Sequence, residues 1–478
     1  MKQGGLTISK GTFDKDAITT QNSLYANSLQ YPEIARTLLM LQPQYSLTNI
    51  TAPFIQSEEM AVGDLKFEYP VIGRTDKPLT CTGTAPTGDG KGDSIVYIEV
   101  EENYAHPTWE YKLGEDVLLR VDSTVLVKKT VKGYLVPFKI MGNDNTDTIS
   151  SSDIYAQRRL GKVANSNTEY SERGYGAQQY PDWLANYLTT TRKQQTVTGD
   201  AATSILWLQK GDYKLWAIGA SPDELMNELG QRDGGFLWDM EKDAWFGRTT
   251  MDENGICTKT DNGKPLVRGN GFLQQIQSNM TDEFSKGQLT QKMLLNHIRD
   301  FKIAAGINGG KITVHTGAGG VAAWYELLAN FYLHQGNQGI VYTMDNGRKV
   351  TVGEDIPTVH LLNCDITIFE NPILTDPLNN DTDDEGLSLL GQSYFFVDGN
   401  TTMGTDGKQI PTVQKMVRKA NGIDRSMIVK VVDGMVNPVD PMRIFAASAR
   451  DGYTIEWLSQ WMLTLRKING VSALFCTG

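Results

Sequence analysis

The chain has 478 residues, 40% of them hydrophobic, and a formal net charge of −11. This is a globular composition, long enough for several domains of roughly 150 residues each. The acidic balance argues against a general nucleic-acid binder, which needs a cationic face to displace phosphate counterions, but not against an acidic shell that encloses nucleic acid.

The first residues, MKQGGLTISKGTF, lack the apolar core of a signal peptide. No run approaches the roughly 20 apolar residues that span a membrane. Residues 1–58 read as an N-terminal arm: the first thirty are polar, and Ile34, Leu38 and Leu41 then share a helical face after Pro32.

Residues 59–135 change character. Lys66–Ile72 reads as a strand, a Gly-, Thr- and Lys-rich loop runs from Thr75 to Asp93, and Val96, Ile98 and Val100 alternate on one side of the next strand. Trp109, Tyr111 and Leu113 alternate against Thr108, Glu110 and Lys112. These strands read as an extended two-sided β loop, marginal alone in water and needing something to lie on.

Residues 150–300 read as mostly helical. Pro181 opens a short helix that gathers Trp183, Leu184, Tyr187 and Leu188. Ser221-Pro-Asp-Glu224 is a capping box, and Phe236–Phe246 continues the helical pattern beyond Gly234-Gly235. Asn254-Gly255 and Asn262-Gly263 signal turns, with strands between.

A helix carrying Leu289, Met293, His297, Ile298 and Phe301 ends near Gly306, and a compact α+β segment follows over 307–420. Lys311–His315 is a strand, Val321–Leu333 an amphipathic helix, Asp345-Asn-Gly347 a hairpin turn, and Val359–Phe369 another strand. Over 426–478 the chain returns. Tyr453–Cys476, YTIEWLSQWMLTLRKINGVSALFC, matches helical and strand periods alike. Asn469-Gly470 favours a long hairpin, because a type I′ turn takes two residues at positive φ.

Candidate chemistry is sparse. His315-Thr-Gly-Ala-Gly-Gly320 looks like a phosphate loop but lacks the Gly-Lys-Ser/Thr ending, so a flexible turn is expected. Asp381-Thr-Asp-Asp-Glu-Gly386 resembles the start of a calcium loop, but position twelve is Gln392 rather than glutamate, leaving a solvated acidic loop. His106, His297, His315, His334 and His360 form no metal-ligand spacing, and no GxSxG elbow is present. Cys81, Cys257, Cys364 and Cys476 are too scattered for a zinc or disulfide framework and read as free thiols. No catalytic, metal or cofactor site is expected.

The order of segments resembles a tailed-phage major capsid protein of the Hong Kong 97 type, most closely that of crAss-like phages. The arm, the β loop at 59–135, MEKDAWFGRTTM…RGNGFLQQI from Met240 to Ile276, LTQKMLLNHIRDF…KITVHTGAGGVAAWYELL, and the closing pattern carry it. The resemblance implies an α+β Hong Kong 97-type fold. It has an N-terminal arm (1–58), an extended loop (59–135), a peripheral domain (136–290), an axial domain (291–425) and closing strands (426–478).

It further implies self-assembly into hexamers and pentamers of an icosahedral shell around double-stranded DNA, bound without sequence specificity. Portal and auxiliary capsid proteins would be partners, with assembly in the host cytoplasm. Ile98, Val100, Trp109 and Tyr111 are expected at subunit contacts, because they alternate on a ribbon outside any evident core. Two other readings stay open. One is an extracellular carbohydrate-binding or carbohydrate-active protein, suggested by nine tryptophans. The other is a tail tube or sheath subunit.

Overall fold

The computed structural model describes residues 18–19, 54, 59–73, 77–88, 90–114, 117–142, 146–167, 169, 180–203, 209–210, 213–214, 235–333, 341–343, 349–351, 358–377, 380–404, 407–436 and 447–478. The chain divides into two units. Residues 69–184 form the smaller one, and the segments on either side of them form the larger.

The smaller unit is all β. Its strands run Leu79–Thr80, Arg159–Asn165, Trp109–Leu113, Val117–Val121, Tyr134–Met141 and Val96–Val100 across the sheet, with Lys128–Lys129 folded back on Tyr134–Met141. The two outer strands then meet. Glu101 N–H donates to Thr80 O (2.9 Å), Thr82 N–H donates to Glu99 O (3.1 Å), and Cys81 bridges Val100. The sheet thus closes into a small barrel, which removes its free edges.

Alternation along each strand fills the barrel. Val96, Ile98, Val100, Tyr111, Val136 and Phe138 are wholly buried in one core. The expectation of a ribbon with no core of its own is corrected here. Sequence showed two faces but not that the sheet curls until one of them becomes an interior. The strands expected as an extended loop fall mostly within a folded unit that runs on to Leu184.

The larger unit holds two main sheets. One runs Ile18–Thr19, Thr189–Thr198, Gly452–Leu465, Val413–Ala420 and Glu59–Val62, with Ile428–Asp433 also on Gly452–Leu465. The other runs Thr281–Ser285, Val471–Thr477, Tyr394–Asp398, Gly310–Thr316, Cys364–Glu370 and Thr358–Leu361. A shared apolar cluster joins the sheets through Trp461, Leu463 and Leu465 of the first and Phe395, Val471 and Ala473 of the second.

The expected hairpin over Tyr453–Cys476 is therefore corrected. Both halves are strands, but they lie in different sheets and do not pair. Neighbours take both edges of each: Thr189–Thr198 and Val413–Ala420 flank the long strand, and Thr281–Ser285 and Tyr394–Asp398 flank Val471–Thr477. Neither Asn469 nor Gly470 has positive φ, and Ile468–Gly470 is a single 3-10 turn.

The helix expected to open at Pro181 is a strand, Asp182–Tyr187, followed by Thr189–Thr198. Pairing of Asp182–Tyr187 with Lys66–Val71 outweighs local helical spacing, and Thr189–Thr198 then pairs along its whole length with the long strand. Among described residues of 150–300, helix is confined to Gly199–Thr203, Phe236–Phe246, Phe272–Gln275 and the start of Gln291–Ala305, with one 3-10 turn at Ser278–Met280.

The helix expected before Gly306 is Gln291–Ala305. Thr290 caps it by accepting from Met293 N–H (3.2 Å), and Gly306 ends it in the left-handed conformation. Its buried stripe is Leu294, His297, Ile298, Phe301 and Ala305. The single strand expected over Val359–Phe369 is a hairpin, Thr358–Leu361 with Cys364–Glu370. Leu362 (φ 50°) and Asn363 (φ 63°) form its turn.

Several expectations fall outside the described residues: the face of Ile34, Leu38 and Leu41, the box at Ser221, His334, and the turn Asp345-Asn-Gly347. The strands beside that turn, Val341–Thr343 and Lys349–Thr351, are described and pair antiparallel.

Candidate assembly surfaces

The motifs singled out for chemistry are occupied by the protein itself. At His315–Gly320 the strand Gly310–Thr316 turns into the helix Ala318–Leu333. Gly317 N–H donates to Gly391 O (3.1 Å), and Ala318 N–H donates to Thr375 Oγ1 (3.0 Å). A Cβ on Gly317 would stand 2.6 Å from Gly391 Cα. The glycine allows two backbones to touch, and the first two amides of the turn, Gly317 and Ala318, are already bonded.

The acidic loop is likewise tied down. Asp383 accepts from Glu385 N–H and Leu387 N–H (2.9 Å each), from Gln392 Nε2 (2.8 Å) and from Lys286 Nζ (2.9 Å). Burial would raise this carboxyl, but the Lys286 ammonium and the other donors hold it at about 2. Among the described residues no group of three or more His, Cys, Asp or Glu side chains could hold a metal.

His297 stands between two partners, with Nδ1 2.6 Å from Asp282 Oδ2 and Nε2 3.1 Å from Ser472 Oγ. That order matches a Ser–His–Asp triad. Its exposure does not, because Ser472 is 1% exposed while the Asp282 side chain is 61% exposed. A nucleophile sealed inside a sheet meets no substrate, so the trio ties the helix Gln291–Ala305 to Thr281–Ser285 and Val471–Thr477. All four cysteines are free thiols, and burial pushes Cys81 up to about 11.

The residues expected at subunit contacts lie inside the barrel. Ile98, Val100 and Tyr111 have no exposed area, and Trp109 is 5% exposed. Lys162 Nζ sits 3.5 Å above the Trp109 ring, and His106 meets that ring edge-on with centroids 4.9 Å apart. The faces that sequence left unpartnered are covered by this chain's own residues. Trp109, Trp238, Trp245, Trp324, Trp457 and Trp461 are all core, so none of these six offers an aromatic platform to a sugar.

Apolar exposure sits elsewhere. On the barrel it is sharpest at Leu126 and Val131, in the connection between Val117–Val121 and Tyr134–Met141. On the larger unit a hairpin over 251–266 projects with Ile256 and Leu266 exposed. Its root is rigid: Gly271 N–H donates to Gly247 O (2.8 Å), and Arg268 forms an ion pair with Asp243. Another exposed patch follows the helix Gln291–Ala305, where Ile303 and Leu362 flank an open groove of about 420 Å³. Lys302 Nζ donates to Leu362 O there (2.5 Å). Sequence reasoning could have found Val131, which interrupts a lysine-rich turn; Leu126 stands in the apolar run Val125-Leu126-Val127 before it.

The arm is pinned on the opposite principle. Phe54 is 2% exposed and stacks on Phe272 with centroids 4.7 Å apart. Trp245 lies equally close, and His315 closes the cluster at 6.3 Å. Further along, Glu59–Val62 adds a parallel strand to Val413–Ala420, and Glu59 forms an ion pair with Lys415 (2.8 Å).

Comparison with known proteins names the family. A model of the Crassvirus major capsid protein family matches residues 4–477. The chain is a viral shell-forming structural protein. It belongs to the Crassvirus major capsid protein family, and as such it is a virion component that self-assembles into an icosahedral capsid. The described strands and helices make an α+β chain, the fold class expected from the sequence.

No curated protein matches the sequence. Among solved structures, one from Mycobacterium phage Bobi is 11% identical and covers 96% of this chain and 99% of its own, with a TM-score of 0.38. The capsid of an empty GTA particle is 10% identical over 94% and 96%, also with a TM-score of 0.38. The capsid of the cyanophage P-SCSP1u is 8% identical over 66% and 81%, with a TM-score of 0.34. The family assignment rests on the family match alone.

Proposed function

We propose that the shell is built from hexamers and pentamers of this chain and encloses double-stranded DNA without reading its sequence. Assembly takes place in the host cytoplasm, with portal and auxiliary capsid proteins as partners. The work of the chain is repeated association, and no residue is assigned a catalytic role. The observation that carries this reading is the capsid-family match along nearly the whole length. A net charge of −11 agrees with a wall that confines DNA rather than gripping it.

In this reading Ile98, Val100, Trp109 and Tyr111 serve assembly from within. They hold the barrel rigid, and its exposed rim meets the neighbouring copy. Each contact is weak, and a closed lattice multiplies it.

Negative-stain microscopy of the expressed protein tests the reading. Closed shells with fivefold and sixfold clusters are the expected result. Tubes would move the chain to a tail-type polymer, and isolated monomers under all assembly conditions would overturn the reading. Purified subunits should bind duplex DNA weakly and only at low salt; tight, sequence-dependent binding would contradict the DNA part.

A further inference from the structure

The connection between Val117–Val121 and Tyr134–Met141 ends in a tight hairpin in which Thr130 N–H donates to Gly133 O (2.8 Å). Val131 and Lys132 form its tip, and Lys128 and Lys129 flank it opposite Leu135 and Tyr134. Val131 is 104% exposed, Leu126 is 86% exposed, and all three lysines are exposed. One surface leucine is ordinary, but two bare aliphatics among three ammonium groups on one turn are not scattered exposure.

Of the nearby carboxylates, Glu99 alone bears on the turn, accepting from Thr130 and attracting Lys132; Glu101 and Glu102 are bonded outside it. Glu99 accepts from Thr82 Oγ1 (2.8 Å) and also from Thr84 and Thr130. Glu102 accepts from Thr80 N–H and Oγ1 (2.7 Å each), and Glu101 accepts from Gln157 (3.1 Å). Among the described residues no salt bridge engages Lys128, Lys129 or Lys132.

The same chain carries a complement. In the loop 381–387, Asp381, Asp384 and Glu385 are exposed, and Leu387 is 48% exposed. The bonds to Asp383 fix this loop's shape, although Lys286 also lies 3.5 Å from Glu385. Both turns are held by their own hydrogen bonds, so little ordering opposes their meeting.

We propose that the lysine turn 126–132 of one copy docks on the acidic loop 381–387 of a second copy. The lysines face Asp381, Asp384 and Glu385, and Leu126 and Val131 cover Leu387. The proposal rests on the shell-forming reading and adds to it the partner surface.

Charge exchange tests it. Lys128→Glu, Lys129→Glu and Lys132→Glu together should lower shell yield roughly tenfold or more, since like charges then face each other across the contact. Asp381→Lys, Asp384→Lys and Glu385→Lys together should do the same. Chains carrying both sets should recover assembly. Thermal melts of the subunits should stay unchanged throughout, because the altered side chains are exposed.

In a Cys257→Ser background, Val131→Cys with Leu387→Cys should give covalent multimers when shells are oxidised. Three results would overturn the proposal: normal assembly of either reversed set, no recovery in the combined variant, or only monomer-sized products after oxidation. Failure of the unaltered chain to form shells would instead sink the shell-forming reading.

Discussion

The ring of Phe54 stacks on Phe272 with centroids 4.7 Å apart and planes 28° from parallel. One aromatic side chain from the arm is thus built into the core of the larger unit, beside Trp245 and Phe395. Phe54→Ala should cost about 3–5 kcal/mol of subunit stability, the usual range for truncating a buried phenylalanine. Chemical denaturation of unassembled subunits would show this as an earlier midpoint. An unchanged midpoint would mean the arm is not part of the folded body.

His315 makes stability depend on pH. Burial lowers it from the ordinary 6.5 to about 4. Between those values the unfolded chain binds a proton that the folded chain refuses. Its contribution is therefore fully present above pH 6.5 and falls as the pH drops towards 4, by a total of about 3 kcal/mol. His315→Phe, placed among the rings of Phe54, Trp245 and Phe369, should flatten the melting temperature over that interval. Equal slopes in the two proteins would refute the assignment.

Trp109→Ala separates core from contact. Its ring is buried, and its loss should destabilise the barrel by about 3–5 kcal/mol, with assembly failing as a consequence. Hydrogen exchange of unassembled subunits should show residues 69–184 losing protection. A variant that keeps full protection but assembles poorly would return Trp109 to the subunit boundary.

Gly271→Ala probes the root of the projecting hairpin. A Cβ there would lie 2.7 Å from Gly247 N and 2.8 Å from Ala244 O. Both obstacles are backbone and cannot swing aside. A loss of about 1–3 kcal/mol is expected from overpacking, read as a lower melting temperature. The same change at Gly263, at the hairpin's tip with nothing within 4 Å but with φ +72°, should cost only the local strain of its left-handed backbone, about 1 kcal/mol.

Signals carried by a few neighbouring residues were legible in the sequence. Gly306 ends a helix where the sequence placed its end, although that helix begins only after Thr290 and leaves Leu289 outside, and Asn262-Gly263 turns a hairpin between Thr260–Asp261 and Lys264–Pro265. The turn at Leu362-Asn363 was hidden, because a leucine at positive φ is not a turn signal. Lys302 bonding Leu362 O and Asn363 Nδ2 donating to Asn308 O hold it in place.

Asn469-Gly470 misled for the opposite reason. The local signal was present, but the strands on either side had better partners hundreds of residues away, such as Thr189–Thr198. The alternation of Ile98, Val100, Trp109 and Tyr111 was read correctly as two-faced, yet nothing local announces that a sheet will close. The acidic loop was visible as composition, whereas the lysine turn lay unmarked between two strands. Their exposure, and the engagement of the carboxylates around the turn, needed coordinates.

The placement of Gly452–Leu465 and Val471–Thr477 in two different sheets sets a schedule for synthesis. Each is an interior strand, so a ribosome must pass Leu465 before the first sheet has its middle and Thr477 before the second does. The barrel needs nothing beyond Leu184 and is free to mature while translation continues. Until both strands have emerged, the polypeptide carries a finished barrel and two sheets without their middles, a brick not yet fit for the wall.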